Sequence, residues 1–116
     1  MLCIRYVIIQ VRNCYHQNYK IITELHRFIA SAILDNNSLV LIDLSGNNIS
    51  DEGVGDLCKV IPYNRTLAQL NLADNKLGDS SVSKLAGSLV DNTSLVHINL
   101  SGNFIGDDGA LSLFKV

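Results

Sequence analysis

The chain repeats itself. The stretch from Leu39 to Ile49 (LVLIDLSGNNI) returns from Leu67 to Leu77 (LAQLNLADNKL) and again from Leu95 to Ile105 (LVHINLSGNFI). The copies lie 28 residues apart and share the pattern L-x-x-L-x-L-x-x-N-x-L. Three copies in phase are not coincidence. A period of this length marks one supersecondary unit that cannot bury its apolar face alone and must stack on its neighbours. The repeat also accounts for the composition. Of the 116 residues, 47% are hydrophobic and 17% charged, with a mean hydropathy of +0.22. That charge content lies below the ~25% usual for a soluble domain. Inward Leu, Ile, Val and Asn positions in every unit set this apolar content. It excludes a disordered acidic or basic tail, because such segments are poor in apolar residues.

A fourth copy lies upstream in degraded form. Tyr6, Ile9, Val11 and Cys14 fill its first four key places, with Cys14 where the other copies have Asn. Tyr6 to Leu39 is 33 residues, so this unit carries an excess, placed in 17–21. The chain is therefore expected to form one domain of four units: 6–38 (degenerate), 39–66, 67–94 and 95–116 (truncated). Each unit reads as strand, turn, helix and return loop. Strands are expected over Leu39–Leu44, Leu67–Leu72 and Leu95–Leu100, with alternate residues inward. Asp51, Asp79 and Asp107 precede the helical patterns and are expected to cap them. Inward helical positions are Val54, Leu57, Cys58 and Ile61, then Val82, Leu85, Ala86 and Leu89, with Ile29, Ala30 and Ile33 upstream. Pro62 is expected to end its helix. Asn36, Asn64 and Asn92 recur in the return loop, where Asn tolerates the left-handed conformation.

Asn47, Asn75 and Asn103, with Cys14 in the degraded copy, occupy the bend after each strand. There the backbone loses its ladder partners, and an inward amide has both donors and an acceptor to satisfy it. These four positions are read as a structural ladder, not a binding site.

The period, the strand pattern and the helix phrase at 49–54 (ISDEGV), repeated at 77–82 (LGDSSV) and 105–110 (IGDDGA), resemble the ribonuclease-inhibitor type of leucine-rich repeat. Similar repeats occur in NOD-like receptors, the ribonuclease inhibitor and Ran GTPase-activating proteins. The resemblance covers 39–116 closely and 6–38 loosely. It implies a right-handed α/β horseshoe segment, with parallel strands on the concave side and helices on the convex side. It also implies that the inner strand face binds another macromolecule.

On that face the third place of successive units holds Leu41, Gln69 and His97, and the fifth holds Asp43, Asn71 and Asn99. The face is read as an apolar stripe beside a polar amide column, and these six are the candidate partner-binding residues. The face lacks the Trp, Tyr and Arg anchors that dominate binding energy.

Other chemistry finds little support. Cys14 and His16 stand two apart, but zinc needs four good ligands, and Cys14 already fills a repeat position. A Cys–His nucleophile would need a third, orienting group. The recurring acids at Asp51, Asp79 and Asp107 read as helix caps, without the dense oxygen loop of a calcium site. There is no phosphate-binding glycine loop. No catalytic residue, metal or cofactor is therefore expected. The net charge of −2 and pI of about 5.8 argue against nucleic-acid binding. The charge divides as +2 over residues 1–38 and −4 over 39–116, the latter read as a solvated rim. The longest apolar run, Met1–Val11, is broken by Arg5, too short for a membrane span and unlike a secretory signal. Cys3, Cys14 and Cys58 are odd in number and irregularly spaced, which fits reduced thiols and a cytoplasmic setting. With that setting, the sequons at Asn48, Asn64 and Asn92 read as accidental.

The expected function is thus a non-enzymatic module binding a protein partner. The alternatives are a GTPase-activating regulator fragment, similar to Ran GTPase-activating proteins, and an inert slice of a larger receptor or ciliary scaffold. The final unit stops at Val116 without a polar capping repeat, and the first opens almost directly in a strand. Both end faces are expected to expose core side chains, Leu100 and Phe114 at one end and Ile9 and Val11 at the other. End-to-end self-association through these uncapped repeats follows, and the composition fits an interior segment or a domain that hides its ends.

Overall fold

The computed structural model describes residues 7–10, 39–49 and 51–114. Four strands, β1 (Val7–Gln10), β2 (Leu39–Asp43), β3 (Gln69–Asn71) and β4 (His97–Asn99), form one parallel sheet in chain order. Helices α1 (Asp51–Val60), α2 (Asp79–Leu89) and α3 (Asp107–Phe114) follow β2, β3 and β4. Parallel neighbours require a crossover; α1 supplies it between β2 and β3, and α2 between β3 and β4. The helices pack on one another in a second layer, α1 on α2 and α2 on α3. The architecture is an α/β solenoid.

Strand register keeps equivalent repeat positions level. Leu41, Gln69 and His97 are aligned, as are Ile42, Leu70 and Ile98, and Asp43, Asn71 and Asn99. On the other side, Ile9 pairs with Ile42, with an irregularity between Val7 and Ile8. Strand alternation sends Ile42, Leu44, Leu70 and Leu72 inward, where they form one core with Val54, Leu57, Ile61 and Leu85 from the helical layer, and Val82 and Ala86 are buried too. Each such side chain contributes roughly 1.5–3 kcal/mol by leaving water. Cys58 and Leu89 are only partly buried, whereas Val60, Ser81 and Ser88 join the interior.

Several local details differ from the sequence expectation. The regular strands β3 and β4 are three residues long because the chain bends earlier, although bonds such as Leu72 N–H to Asn99 O (2.8 Å) continue beyond them. Helix α1 ends at Val60, and the chain then tightens into a 3-10 turn over Ile61–Tyr63, with Pro62 at its start, where no N–H is needed. Asn64 is extended (φ −80°, ψ 135°) and not left-handed. Its Oδ1 instead accepts from Thr66 N–H (3.0 Å) and Leu67 N–H (2.7 Å), and Asn92 does the same for Ser94 and Leu95. Among the described residues, the left-handed non-glycine ones are Asn48, Asp74 and Lys76, in the turns that follow β2 and β3.

The helix-start aspartates also differ in role. The N-cap of α2 is Gly78, with no side-chain cap bond, and Asp79 lies inside the first turn. Its Oδ1 accepts from Gly106 N–H of the next unit (2.7 Å). Asp51 likewise accepts from the Ser81 hydroxyl one unit on. These carboxylates clasp neighbouring units while still placing negative charge at the helix N-termini. Asn36 and Cys14, and the helix positions expected upstream, lie outside the described residues.

Candidate functional site

The strand face is built on a rigid bend. Asn75 is fully buried, and its Oδ1 accepts from Asn47 N–H (3.0 Å) and Ile49 N–H (3.1 Å) of the preceding unit. Its Nδ2 donates to Leu44 O, Leu72 O and Ala73 O. Asn103 repeats the arrangement, accepting from Asn75 N–H and Leu77 N–H at 2.9 Å each. The amide of Asn47 donates to Leu44 O and Ser45 O. One amide per unit therefore ties each bend to the one before it and fixes the spacing of the face.

On this frame the six candidate residues come together. Leu41, Asp43, Gln69, Asn71, His97 and Asn99 line one shallow depression of about 180 Å³, floored by Ile42 and Leu70. Adjacent strands place successive residues of each column about 5 Å apart. The columns differ in employment. Asp43 Oδ1 accepts from Ser45 N–H (3.0 Å) and Ser45 Oγ (2.6 Å). Asn99 Oδ1 takes the same two bonds from Ser101, and Asn71 Oδ1 accepts from Ala73 N–H (3.1 Å). These are turns closed by a side-chain oxygen two residues upstream, and they end the strands. The carboxamide oxygens of this column are thus committed to the fold. Gln69 and His97 are exposed, and among the described residues their side chains make no hydrogen bond. The sequence signal for the turns was present as D-L-S at 43–45 and N-L-S at 99–101. It becomes meaningful only once the strand is known to end there.

Reactive chemistry is not concentrated here. Cys58 lies on α1, where burial pushes its thiol above the ordinary cysteine value, partly countered by a hydrogen bond with Ser88 and the charge of Lys84. That is the opposite of an activated thiol. Among the described residues, no cluster of three or more His, Cys, Asp or Glu side chains is placed to hold a metal. No helix among them is long and apolar enough to cross a membrane.

Comparison with known proteins is informative about the fold. No curated protein matches the chain. Among solved structures, leiomodin-1 actin-binding site 2 is similar, with a TM-score of 0.77 at 17% sequence identity. The match covers 93% of this chain and 61% of that one, so the chain spans about three-fifths of the length of the structure it resembles. The leucine-rich-repeat family model matches three times, at residues 35–58, 63–86 and 91–114. With most of its length matched in this way, and the amide-tied bends and parallel sheet in place, the chain belongs to the leucine-rich-repeat family.

Proposed function

We propose that the chain is a non-enzymatic, cytoplasmic protein-interaction module of the ribonuclease-inhibitor type, built from units 6–38, 39–66, 67–94 and 95–116. It takes a protein partner on the concave strand face. The observation that carries this reading is the division of labour between the two columns. Asp43, Asn71 and Asn99 spend their side-chain oxygens closing turns, while Leu41, Gln69 and His97 stand in register with nothing to do for the fold. Recognition then rests on Leu41 as an apolar contact and on Gln69 and His97 as hydrogen-bonding groups. The amide nitrogens of Asn71 and Asn99 supply further donors beside them. The solved structure of similar fold is itself named as an actin-binding site, which supports a macromolecular partner and names none for this chain.

Without aromatic or arginine anchors, affinity is expected to be modest. The test is capture of partners from a cytoplasmic extract by the wild-type chain and by Leu41→Glu, Gln69→Ala and His97→Ala variants. Loss of one or more specific captures in the variants supports the reading. An unchanged set of captures in all three overturns the concave-face assignment.

A further inference from the structure

The repeat does not ask for the residues at 63 and 65. The same two places hold Asp91 and Thr93 one unit later, and Asp35 and Asn37 one unit earlier. Tyr63 and Arg65 are residue types that dominate binding energy at protein interfaces, and the concave columns lack them. Both are exposed, Tyr63 at 73%. Their loop lies between two units of the repeat, so this exposure is a property of the rim.

The loop that carries them is tied down. Pro62 sets its first turn. Asn64 N–H donates to Val60 O and Ile61 O, and Asn64 Oδ1 accepts from Thr66 and Leu67 N–H. Asn92 Nδ2, one unit on, donates to Ile61 O (2.8 Å) and Asn64 O (3.2 Å). Arg65 is itself clamped: its Nη1 donates to Pro62 O (2.9 Å) and, across the junction, to Asp91 O (3.2 Å). Asp91 thus lends its carbonyl and not its carboxylate. Among the described residues, Arg65 Nε and Nη2 make no hydrogen bond. Their parallel N–H groups form the guanidinium edge that matches the two oxygens of a carboxylate.

Charge separates the two rims. The turns and helix starts after the strands carry Asp51, Glu52, Asp74, Asp79, Asp107 and Asp108, with Lys76 as the cation among the described residues there. The return-loop rim carries Arg65, with Lys59 in the last turn of α1, against Asp91 and Asp56, and Asp56 pairs with Lys59 at 3.4 Å. An acidic segment is repelled at the first rim and accepted at the second.

We propose that the return-loop rim anchors a protein partner through an acidic segment. A Glu or Asp carboxylate of that segment sits on the open edge of Arg65, and an apolar side chain beside it packs on the Tyr63 ring. Because the loop and the arginine are held before binding, little ordering is left to be done when the segment arrives. The contact stands apart from the concave column and needs none of its residues.

The test is an NMR titration of the full nitrogen-15-labelled chain with a capped hexapeptide alternating glutamate and phenylalanine. Its glutamine counterpart, and sodium acetate at the same carboxylate concentration, are the controls. Saturable shifts are expected at Arg65 Nε–H and at the amides of residues 63–66, and with neither control. Arg65→Lys keeps the charge without the fork and should weaken binding about tenfold. Tyr63→Ala should weaken it as well, and Asp91→Asn, which keeps the clamping carbonyl, should bind at least as tightly. Gln69→Ala with His97→Ala should bind as the wild type does, whatever becomes of the concave-face reading. No saturable shift at Arg65 Nε–H overturns the proposal. So does an equal response to either control, an Arg65→Lys chain that binds as tightly, or loss of binding in the Gln69→Ala, His97→Ala chain.

Discussion

Replacing Asn75 by Leu tests the ladder at its most buried member. The substitution removes five hydrogen bonds, but they are not equivalent. Leu44 O keeps a bond from Asn47 Nδ2, Leu72 O keeps one from Asn103 Nδ2, and Ala73 O keeps one from Gly46 N–H. The N–H groups of Asn47 and Ile49 lose the acceptor that Asn75 gives them. One buried and one partly buried donor at about 1–3 kcal/mol each give about 2–6 kcal/mol. Burial of the leucine offsets at most about 2 kcal/mol of this, so the middle of that range, about 4 kcal/mol, leaves a net loss of about 2–4 kcal/mol. Asn103→Leu orphans the same number of donors, but at a half-exposed site that water can reach, so its loss should be about 1 kcal/mol. Urea denaturation followed by far-ultraviolet circular dichroism measures both, provided the slope with denaturant is unchanged. A loss below about 1 kcal/mol for Asn75→Leu, or a larger loss for Asn103→Leu, would mean that buried amides do not hold the bends together.

Four further outcomes follow from local geometry. Gly87 lies on the exposed face of α2 with nothing near a new Cβ, so Gly87→Ala should raise stability by about 0.5–1 kcal/mol in the same urea assay. Gly109→Ala should lower it by about 1 kcal/mol, because the added Cβ meets Asp79 Oδ1 at 2.5 Å and Asp79 Cα at 3.1 Å. Asp79→Ala should cost about 1 kcal/mol by removing the acceptor of Gly106 N–H, with a smaller cost for Asp79→Asn, which retains an oxygen. Cys58 should alkylate more slowly in the folded than in the urea-unfolded chain across mildly alkaline pH, as read by peptide mass spectrometry. Its folded-state pKa is raised by burial, so its thiolate appears at higher pH. Equal rates in both states would contradict this.

The sequence carried much of the fold because the repeat ties each residue to its equivalents 28 places away. Core positions such as Ile42, Leu70 and Val82 and the inward amides are legible from that equivalence and from the periods of strand and helix. What it leaves open is whether a recurring polar residue serves its own unit or the next. Asp79 at a helix start fits a cap and fits a clasp on Gly106, and only the distance between units decides. Asn64 is a similar case. A left-handed turn and an extended residue whose amide closes the loop both call for Asn. The face columns were legible as positions, since register follows from the repeat. Their division into structural oxygens and uncommitted side chains was not, because it depends on where each strand stops.

On the function proposed above, a partner reads the concave face, and within it the column Leu41, Gln69 and His97. The most direct measurement is the affinity of a partner captured by the wild-type chain for two variants of matched stability. One carries Leu41→Glu with Gln69→Ala and His97→Ala. The other carries Ser83→Glu with Lys84→Glu on the exposed side of α2. Binding should be lost in the first and keep wild-type affinity in the second. Wild-type binding by the concave variant, with loss in the helical one, would contradict that function.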